Sequence, residues 1–213
     1  MASLRGHDKI IELLLSKGTD VNAQGGHYGN ALQAASQGGH DKIVELLLSK
    51  GANVNAQGGF YGNALQAASQ EGHDKIIELL LSKGGNVNAQ GGFYGNALQA
   101  ASQGGHDKIV ELLLSKGANV NVQGGEYGNA LQAASLGGHD KIVELLLGKG
   151  ANVNALQAAS RGGHDKIIKL LLSREADINE HTPQGVLPKT PVVLGKALKS
   201  QLVLIFWLQP NFT

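Results

Sequence analysis

The chain has 213 residues, of which 42% are hydrophobic, and a formal net charge of +1, so it can build an apolar core but offers no basic stripe for nucleic acid. It contains no cysteine, which excludes a disulfide framework and a thiolate metal site. The longest apolar run, Leu202 to Leu208, is far shorter than the ~20 residues of a membrane span, and the first residues lack the apolar segment of a secretory signal. We therefore expect an intracellular protein, cytoplasmic or nuclear, that binds no nucleic acid and does not span a membrane.

A motif of fixed spacing organises most of the chain. Gly-His-Asp-Lys-Ile recurs at intervals of 33 residues and then once after 25, with its histidine at His7, His40, His73, His106, His139 and His164. A period of this length is typical of stacked-repeat proteins, in which each unit buries its apolar face against its neighbours. We therefore divide residues 1–180 into six units: 1–24, 25–57, 58–90, 91–123, 124–154 and 155–180.

The first unit, residues 1–24, is partial. Its start aligns with residues 34–40 of the second unit, so most of the first short helix is missing. Ile10 and Leu14 remain apolar, although a terminal unit normally turns a polar face outward. The sequence therefore predicts an uncapped end, and a chain that is a fragment or a truncated relative of a longer array.

Each complete unit, as in residues 25–57, opens with a glycine-rich projecting turn followed by a short helix. Glycine supplies the positive φ angles that such a turn needs. Asn30 is a good N-cap for a helix over residues 31–36, and Gln33 sits where a capping box needs it. The helix is rich in alanine, so a neighbouring helix can approach it closely.

A longer second helix follows in each unit. In the first complete unit it is predicted from Asp41 to Lys50, because a wide apolar stripe recurs there with helical spacing. Gly51 is suited to end it. Residues 52–55 are expected to lead in extended form to the next turn.

The last unit, residues 155–180, is shortened. Eight residues equivalent to 122–129 are absent between Asn154 and Ala155, so the projecting turn is lost. The link of residues 150–154 can still span at most roughly 17 Å. The span of this link therefore exceeds the spacing between adjacent repeats, which is ~10 Å.

We therefore expect the last helix pair, residues 155–174, to stay in the stack. Its first helix should pack on residues 130–135 with Asn154 as its N-cap, and the row of turns should end at Tyr127. Glu175 stands where the earlier units have glycine. A left-handed backbone with a side chain would cost roughly 1 kcal/mol there, so the array is expected to stop soon afterwards.

Residues 181–213 form a non-repeat tail. Its apolar, strand-favouring stretch, residues 202–208, would be an aggregation hazard if exposed. The tail either folds back over the last helix pair as an improvised cap or is not a native coding segment. The uncapped ends or this apolar stretch could also mediate self-association.

The turn–helix–turn–helix unit resembles the ankyrin repeat. The resemblance is carried by A-L-Q-A-A, G-H-x-x-I-V-x-L-L-L and G-A-N-V-N-A, which recur over roughly residues 1 to 180. Asn30-Ala31 replaces the family's usual Thr-Pro, and Gln33 replaces its usual histidine. The G-G-x-Y-G-N-A-L-Q-A-A-S pattern is similar to ankyrin arrays of filamentous fungi, which often follow a nucleotide-binding signalling domain. The resemblance implies an all-α, ankyrin-type solenoid of stacked helix pairs with projecting turns, here with one truncated unit and a non-repeat C-terminal tail.

The recurring histidines raise the question of a metal site. Each lies one repeat from the next, roughly 10 Å by helix packing, whereas zinc needs nitrogens at ~2.0–2.1 Å, so two of them cannot share an ion. We expect each histidine to tie a loop to the adjacent unit by hydrogen bonds. Polar residues of the helices recur with the repeat, whereas catalysis needs one asymmetric constellation. The sequence therefore predicts no catalytic, cofactor-binding or metal-binding residues.

Two positions per unit vary in an otherwise near-copied sequence. The first is the residue before the turn tyrosine, and the second is the end of the short helix. The resemblance implies that both places line a concave partner-binding face, and Tyr and Phe are enriched at protein interfaces. The candidate partner-binding residues are His27, Tyr28, Phe60, Tyr61, Phe93, Tyr94, Glu126, Tyr127, Gln37, Gln70, Glu71, Gln103, Leu136 and Arg161. For the tyrosines, contact with a partner and bracing of adjacent turns are two open interpretations.

These features predict a non-catalytic protein–protein interaction module whose partner the sequence does not name. An alternative is the recognition part of a fungal-type signalling protein whose nucleotide-binding domain is absent from this chain. The least supported hypothesis, a small-ligand enzyme built on the histidines, needs one unmatched acid–base pair, and the sequence shows none.

Overall fold

The structure is a computed structural model that describes residues 1–181, with side chains described through residue 175. Residues 1–175 form one compact unit. The described part contains no β-strand, and its helices are α1 (Asp8–Ser16), α2 (Ala31–Gln37), α3 (Asp41–Ser49), α4 (Ala64–Glu71), α5 (Asp74–Ser82), α6 (Ala97–Gly104), α7 (Asp107–Ser115), α8 (Ala130–Gly137), α9 (Asp140–Gly148), α10 (Leu156–Gly162) and α11 (Asp165–His181). The tail predicted over residues 181–213, with its possible role as a cap, lies outside the described residues except for His181.

The short helices α2, α4, α6 and α8 each begin after an asparagine. The side-chain oxygen of Asn30 accepts a hydrogen bond of 2.9 Å from the backbone N–H of Gln33, which satisfies a free donor of the helix start. The side chain of Gln33 in turn accepts the N–H of Asn30 at 2.8 Å, so the predicted capping box is confirmed in α2. The asparagine cap recurs in α4, α6 and α8. Alanines of these helices are almost fully buried, because small side chains let the short helices pack closely on one another.

The long helices supply the large side chains of the core. In α5, Ile76, Ile77 and Leu80 are fully buried, and the equivalent residues of α3, α7 and α9 are buried too. These residues share one helix face, which packs on the short helix of the same unit and on the neighbouring long helices. The resulting core is one continuous cluster from Ile11 to Leu171. In α1, at the start of the array, no preceding unit among the described residues covers the apolar side chains, and Ile10, Leu13 and Leu14 are exposed.

Asparagines connect successive units beyond the ends of the long helices. The N–H of Asn55 bonds to the side chain of Asn53 at 3.0 Å, so residues 52–55 contain a turn, and the extended segment predicted there is wrong. The side-chain amide of Asn55 donates to the carbonyl of Gly84 at 3.0 Å. Its side-chain oxygen accepts the N–H of Asn86 at 2.8 Å. The turn therefore places the side-chain amide of Asn55 where it bonds two backbone groups of the next unit, the carbonyl of Gly84 and the N–H of Asn86.

The recurring histidines tie each unit to the one before it, as predicted. The ring Nε2–H of His40 donates to the carbonyl of Leu4 at 2.8 Å, and that of His73 donates to the carbonyl of Gln37 at 3.1 Å. Three later histidines make the same bond. The ring of His73 packs against the previous unit so closely that a Cβ added at Gly39 would lie 2.6 Å from it. The Gly-His pair is therefore a packed joint between units.

The shortened unit remains in the stack, but its helix is capped differently from the prediction. Helix α10 packs on α8, as expected. It begins at Leu156, and its N-cap residue is Ala155, which makes no side-chain cap bond, so the expected cap by Asn154 is wrong. Because the hairpin is missing, Asn154 lies beside the previous unit instead. Its side-chain oxygen accepts from Asn129 at 3.1 Å, and its carbonyl accepts from Gln132 at 3.1 Å.

Helix α11 runs further than the predicted end at residue 174. It continues through Glu175 to His181. Each earlier long helix is followed by a glycine with φ between +81° and +86°: Gly18, Gly51, Gly84, Gly117 and Gly150. A residue with a side chain disfavours that conformation and continues the right-handed helix instead. The single change from glycine to Glu175 therefore removes the stop signal.

Candidate partner-binding surface

The projecting turns are hairpins whose tips hydrogen-bond to one another. In one hairpin the N–H of Gly58 donates to the carbonyl of Gly62 at 2.8 Å. At its tip the N–H of Phe60 donates to the carbonyl of His27 in the previous hairpin at 2.7 Å, and each later tip repeats this bond at 2.8 Å. We call the linked residues and the tyrosine after each of them the tip row: His27, Tyr28, Phe60, Tyr61, Phe93, Tyr94, Glu126 and Tyr127.

The side chains of the tip row form two stacks of rings. The ring centroid of Phe60 lies 5.0 Å from that of His27 and 4.8 Å from that of Phe93, with the planes within 22° of parallel. In the second stack the centroids are 5.9 and 6.1 Å apart, in the order Tyr61, Tyr94 and Tyr127. Both stacks run along the array from one hairpin to the next, so the tip row presents a continuous strip of rings.

A buried glutamine in each short helix holds the next hairpin in place. The side-chain amide of Gln66 donates to the carbonyls of Ala89, Gly91 and Gly95 at 3.1–3.2 Å. The equivalent residues one unit away on each side bond the next hairpin in the same way: Gln33 and Gln99. Sequence reasoning missed this role, because the capping box accounts only for the glutamine oxygen. The recurrence of glutamine where ankyrin repeats usually have histidine was the available signal.

The second glycine of each turn allows neighbouring hairpins to touch through their backbones. A Cβ added at Gly92, whose φ is +65°, would lie 2.4 Å from the backbone nitrogen of Gly62. Gly59 and Gly125 meet the preceding hairpin equally closely. Only glycine fits this position, so the double glycine serves the contact between tips as well as the turn itself.

The variable ends of the short helices meet the tip row in the middle of the array. The hydroxyl of Tyr61 donates to the carboxylate of Glu71 at 3.1 Å, and the side-chain amide of Gln37 donates to the same oxygen at 3.3 Å. The amide of Gln70 donates to the side chain of Gln103 at 2.7 Å. The two sets of residues that vary in the sequence therefore form one connected surface.

The remaining candidates lie at the two ends of this surface. Tyr28 meets its neighbour His27 edge-on, with 5.1 Å between ring centroids. At the other end Tyr127, Leu136 and Arg161 line a groove of about 250 Å³. Arg161 is exposed, whereas Tyr127 and Leu136 are half-buried.

The type of repeat is decided by comparison with protein families. A family model described as ankyrin repeats (3 copies) matches the chain in four overlapping registers, over residues 1–91, 32–124, 65–155 and 98–182. The chain belongs to the ankyrin repeat family. No curated protein matches this ankyrin chain. Ankyrin repeats are generally protein–protein interaction modules.

Two hydroxyls of the ankyrin tip row have raised pKa values. Burial is the main cause of the raised pKa of Tyr61, and the carboxylate of Glu71 raises it further through its charge and its hydrogen bond. Burial also raises the pKa of Tyr94, with contributions from Tyr127 and Glu71. The folded array therefore favours the neutral phenols. Their contribution to stability is complete below the ordinary pKa of about 10 and is lost as pH rises through the folded pKa values.

We expect the ankyrin array to lose stability above about pH 10 more steeply than a double variant, Tyr61→Phe and Tyr94→Phe. The variant keeps the stacked rings but has no phenol to ionise at these positions. The measurement is the free energy of unfolding in urea as a function of pH, with tyrosinate absorbance followed in the same samples. Equal slopes for the two proteins would show that these hydroxyls are not linked to folding.

The described residues form neither a metal-ligand cluster nor a membrane span. Among them, no three His, Cys, Asp or Glu side chains come together in a group that could hold a metal ion. The recurring histidines bond to backbone carbonyls instead. Within the same part of the ankyrin chain, no helix has the length and hydropathy needed to cross a bilayer.

Proposed function

We propose that this chain is a non-catalytic binding module that holds a protein partner along the tip row and the adjoining ends of the short helices. The observation that supports this most is the pair of ring stacks, which stay partly exposed outside the continuous core. The core is complete without them, so the rings are not needed to close it. Exposed aromatic rings give large and rigid contact areas, and Tyr is enriched among the residues that dominate binding energy.

The tip row holds its rings in place before a partner binds. The backbone bond between Phe60 and His27 fixes the position of each tip, and stacking restricts the orientation of each ring. A partner that packs on such a surface orders few additional side chains. Pre-organisation of this kind raises affinity because it lowers the entropy lost on binding.

Polar and charged residues surround the aromatic centre and can give specificity. His27 and Glu126 lie at opposite ends of the tip row, and both are exposed. Glu71 and Arg161 add opposite charges at the ends of short helices and are exposed as well. An aromatic centre with a polar rim is the usual anatomy of a protein–protein interface.

The double variant Phe60→Ala, Phe93→Ala should weaken partner binding by on the order of 2–4 kcal/mol, because it removes the central rings of the tip row. The partner is first captured from cell extract with the wild-type chain, and its dissociation constant is then measured with each variant. The matched control is Lys75→Ala, Lys108→Ala. These exposed lysines of α5 and α7 are also one repeat apart, and the control should bind like the wild type.

This result depends on variants that remain folded. Circular dichroism should show unchanged helicity in the phenylalanine variant, because the tip rings are not part of the buried core. Unchanged affinity of the folded phenylalanine variant would sink the proposal. An equal loss of affinity in the lysine control would also count against it.

A further inference from the structure

The missing hairpin between Asn154 and Ala155 leaves the tip row with an open end, which we call the gap. Among the described residues the carbonyl of Glu126 accepts no hydrogen bond, whereas the carbonyl of each earlier tip accepts the N–H of the next one. The ring of Tyr127 stacks in parallel on one tyrosine only, whereas Tyr94 stacks on two. The gap therefore presents a free acceptor and an unpaired ring face.

Gln132 is an independent sign of the same open end. Its counterparts Gln66 and Gln99 are buried, and each donates to the carbonyls of two glycines in the next hairpin. The side-chain amide of Gln132 donates only to the carbonyl of Asn154, at 3.1 Å, and the residue is partly exposed. A side-chain amide that holds a hairpin in the three earlier units is thus left with a single bond.

The groove of about 250 Å³ lies at this place. It brings together the last tip, Glu126 and Tyr127, with Gln132, Leu136 and Arg161. The groove therefore offers a carbonyl acceptor, an amide donor, an aromatic face and two opposite charges. The first three of these groups hold a hairpin tip in the preceding units, so they suit another tip that comes from outside the chain.

We propose that the groove binds a tight turn of a partner protein with the pattern Gly–(Lys or Arg)–Tyr, which extends the tip row by one member. The turn adds to a hydrogen-bonded edge, as in recognition by strand addition. The inference rests on the proposed function, because it names the partner segment for one end of the same surface. Glycine is required at the first position, since a Cβ at the equivalent Gly125 would lie 2.5 Å from the backbone nitrogen of Gly95.

The other two positions follow from the stacking of the earlier tips. The second residue donates its N–H to the carbonyl of Glu126, and its side chain lies beside the Glu126 carboxylate, as Phe93 lies beside Phe60 at 4.8 Å. A lysine or arginine is therefore favoured there. The tyrosine ring stacks on Tyr127. Its hydroxyl faces the end of the short helix, where Arg161 can donate to it, as Tyr61 reaches its own helix end.

The chain's own hairpin sequence, residues 89–96, supplies the probe as a synthetic peptide carrying Phe93→Lys. The unsubstituted peptide and a Phe93→Glu peptide are compared with it in titrations of the full chain, followed by the NMR amide shifts of Gly128 and Gln132. We expect saturable binding in the order Lys, Phe, Glu. The lysine peptide should bind roughly fivefold more tightly than the glutamate peptide. A lysine peptide that also carries Gly92→Val should not bind.

The matched control is a chain with a copy of residues 89–96 inserted between Asn154 and Ala155. The insertion completes the tip row from within, so this chain should not bind the lysine peptide. A second variant, Glu126→Lys, should reverse the preference between lysine and glutamate peptides. It keeps the test valid if the inserted chain does not fold.

Absence of saturable binding by the lysine peptide, or equal binding by the inserted chain, would overturn the inference. Either result would leave the proposed function to be judged by the Phe60 and Phe93 variants. Association of the chain alone that depends on concentration and is abolished by the insertion would assign the groove to a second copy instead. A shift of the Gly128 amide caused by Trp207→Ala without peptide would assign it to the chain's own C-terminal segment.

Discussion

Replacing Leu80 with alanine should lower the free energy of unfolding by ~2–5 kcal/mol, the largest single loss that we expect in the array. Leu80 is 0% exposed and belongs to the continuous core, so truncation leaves a cavity in a closely packed interior. Leu14 occupies the equivalent position two units earlier, in α1, but it is 44% exposed. Because about half of its surface is already in water, Leu14→Ala should cost much less.

The pair is measured by urea denaturation of both variants against the wild type. Because the two leucines hold the same position in near-identical helices, the difference between the losses reports burial and not helix propensity. Equal losses would show that the apolar face of α1 is covered in solution. The claim that this face is exposed at the start of the array would then be wrong.

Gln66→Leu should cost roughly 2–4 kcal/mol, because three carbonyls of the next hairpin lose a buried donor together. The side chain is fully buried, so water cannot replace the lost bonds without repacking. Gln132→Leu is the matched control at the gap. It removes a single, exposed bond to Asn154 and should cost no more than ~1 kcal/mol.

Unfolding free energies of the two glutamine variants test this difference. Hydrogen exchange adds a local readout, since the N–H of Phe93 should exchange faster in Gln66→Leu, where the hairpin has lost its support. If both variants lost the same stability and Phe93 kept its protection, the side chain of Gln66 would not be what holds the hairpin in place.

The helices of the array could be predicted because each unit carries its own local signals. The second helix of the first complete unit, predicted from Asp41 to Lys50, ends one residue earlier, at Ser49. An asparagine before an alanine-rich segment and a glycine after an apolar stripe suffice for this, since caps and stripes act within one turn of their helix.

The contacts between units could not be predicted in the same way. Periodicity shows that Gln66 and Asn55 recur, but it does not show which carbonyl each reaches in the next unit. The spacing of the tips depends on backbone contacts between hairpins, such as that of Gly92 with the preceding hairpin. A sequence repeat therefore predicts the unit better than it predicts the surface formed by several units.

The local rules failed where the repeat is interrupted. Asn154 has the sequence context of a helix cap, yet its side chain bonds Asn129, because the lost hairpin leaves that side of the previous unit uncovered. Glu175 replaces the glycine that ends the earlier long helices, and α11 continues through it to His181. The first outcome follows from the missing hairpin, and the second from the replacement of a glycine.

Hydroxyl-radical footprinting of the chain, with and without its captured partner, tests the binding role of the tip row most directly, because it measures side-chain accessibility residue by residue. If the partner lies along the tip row, it should slow the oxidation of His27, Phe60 and Phe93 several-fold. The rates of Leu79 and Leu112, which lie on long helices outside the tip row, should not change. Protection of these leucines together with unprotected tip rings would contradict the proposed function.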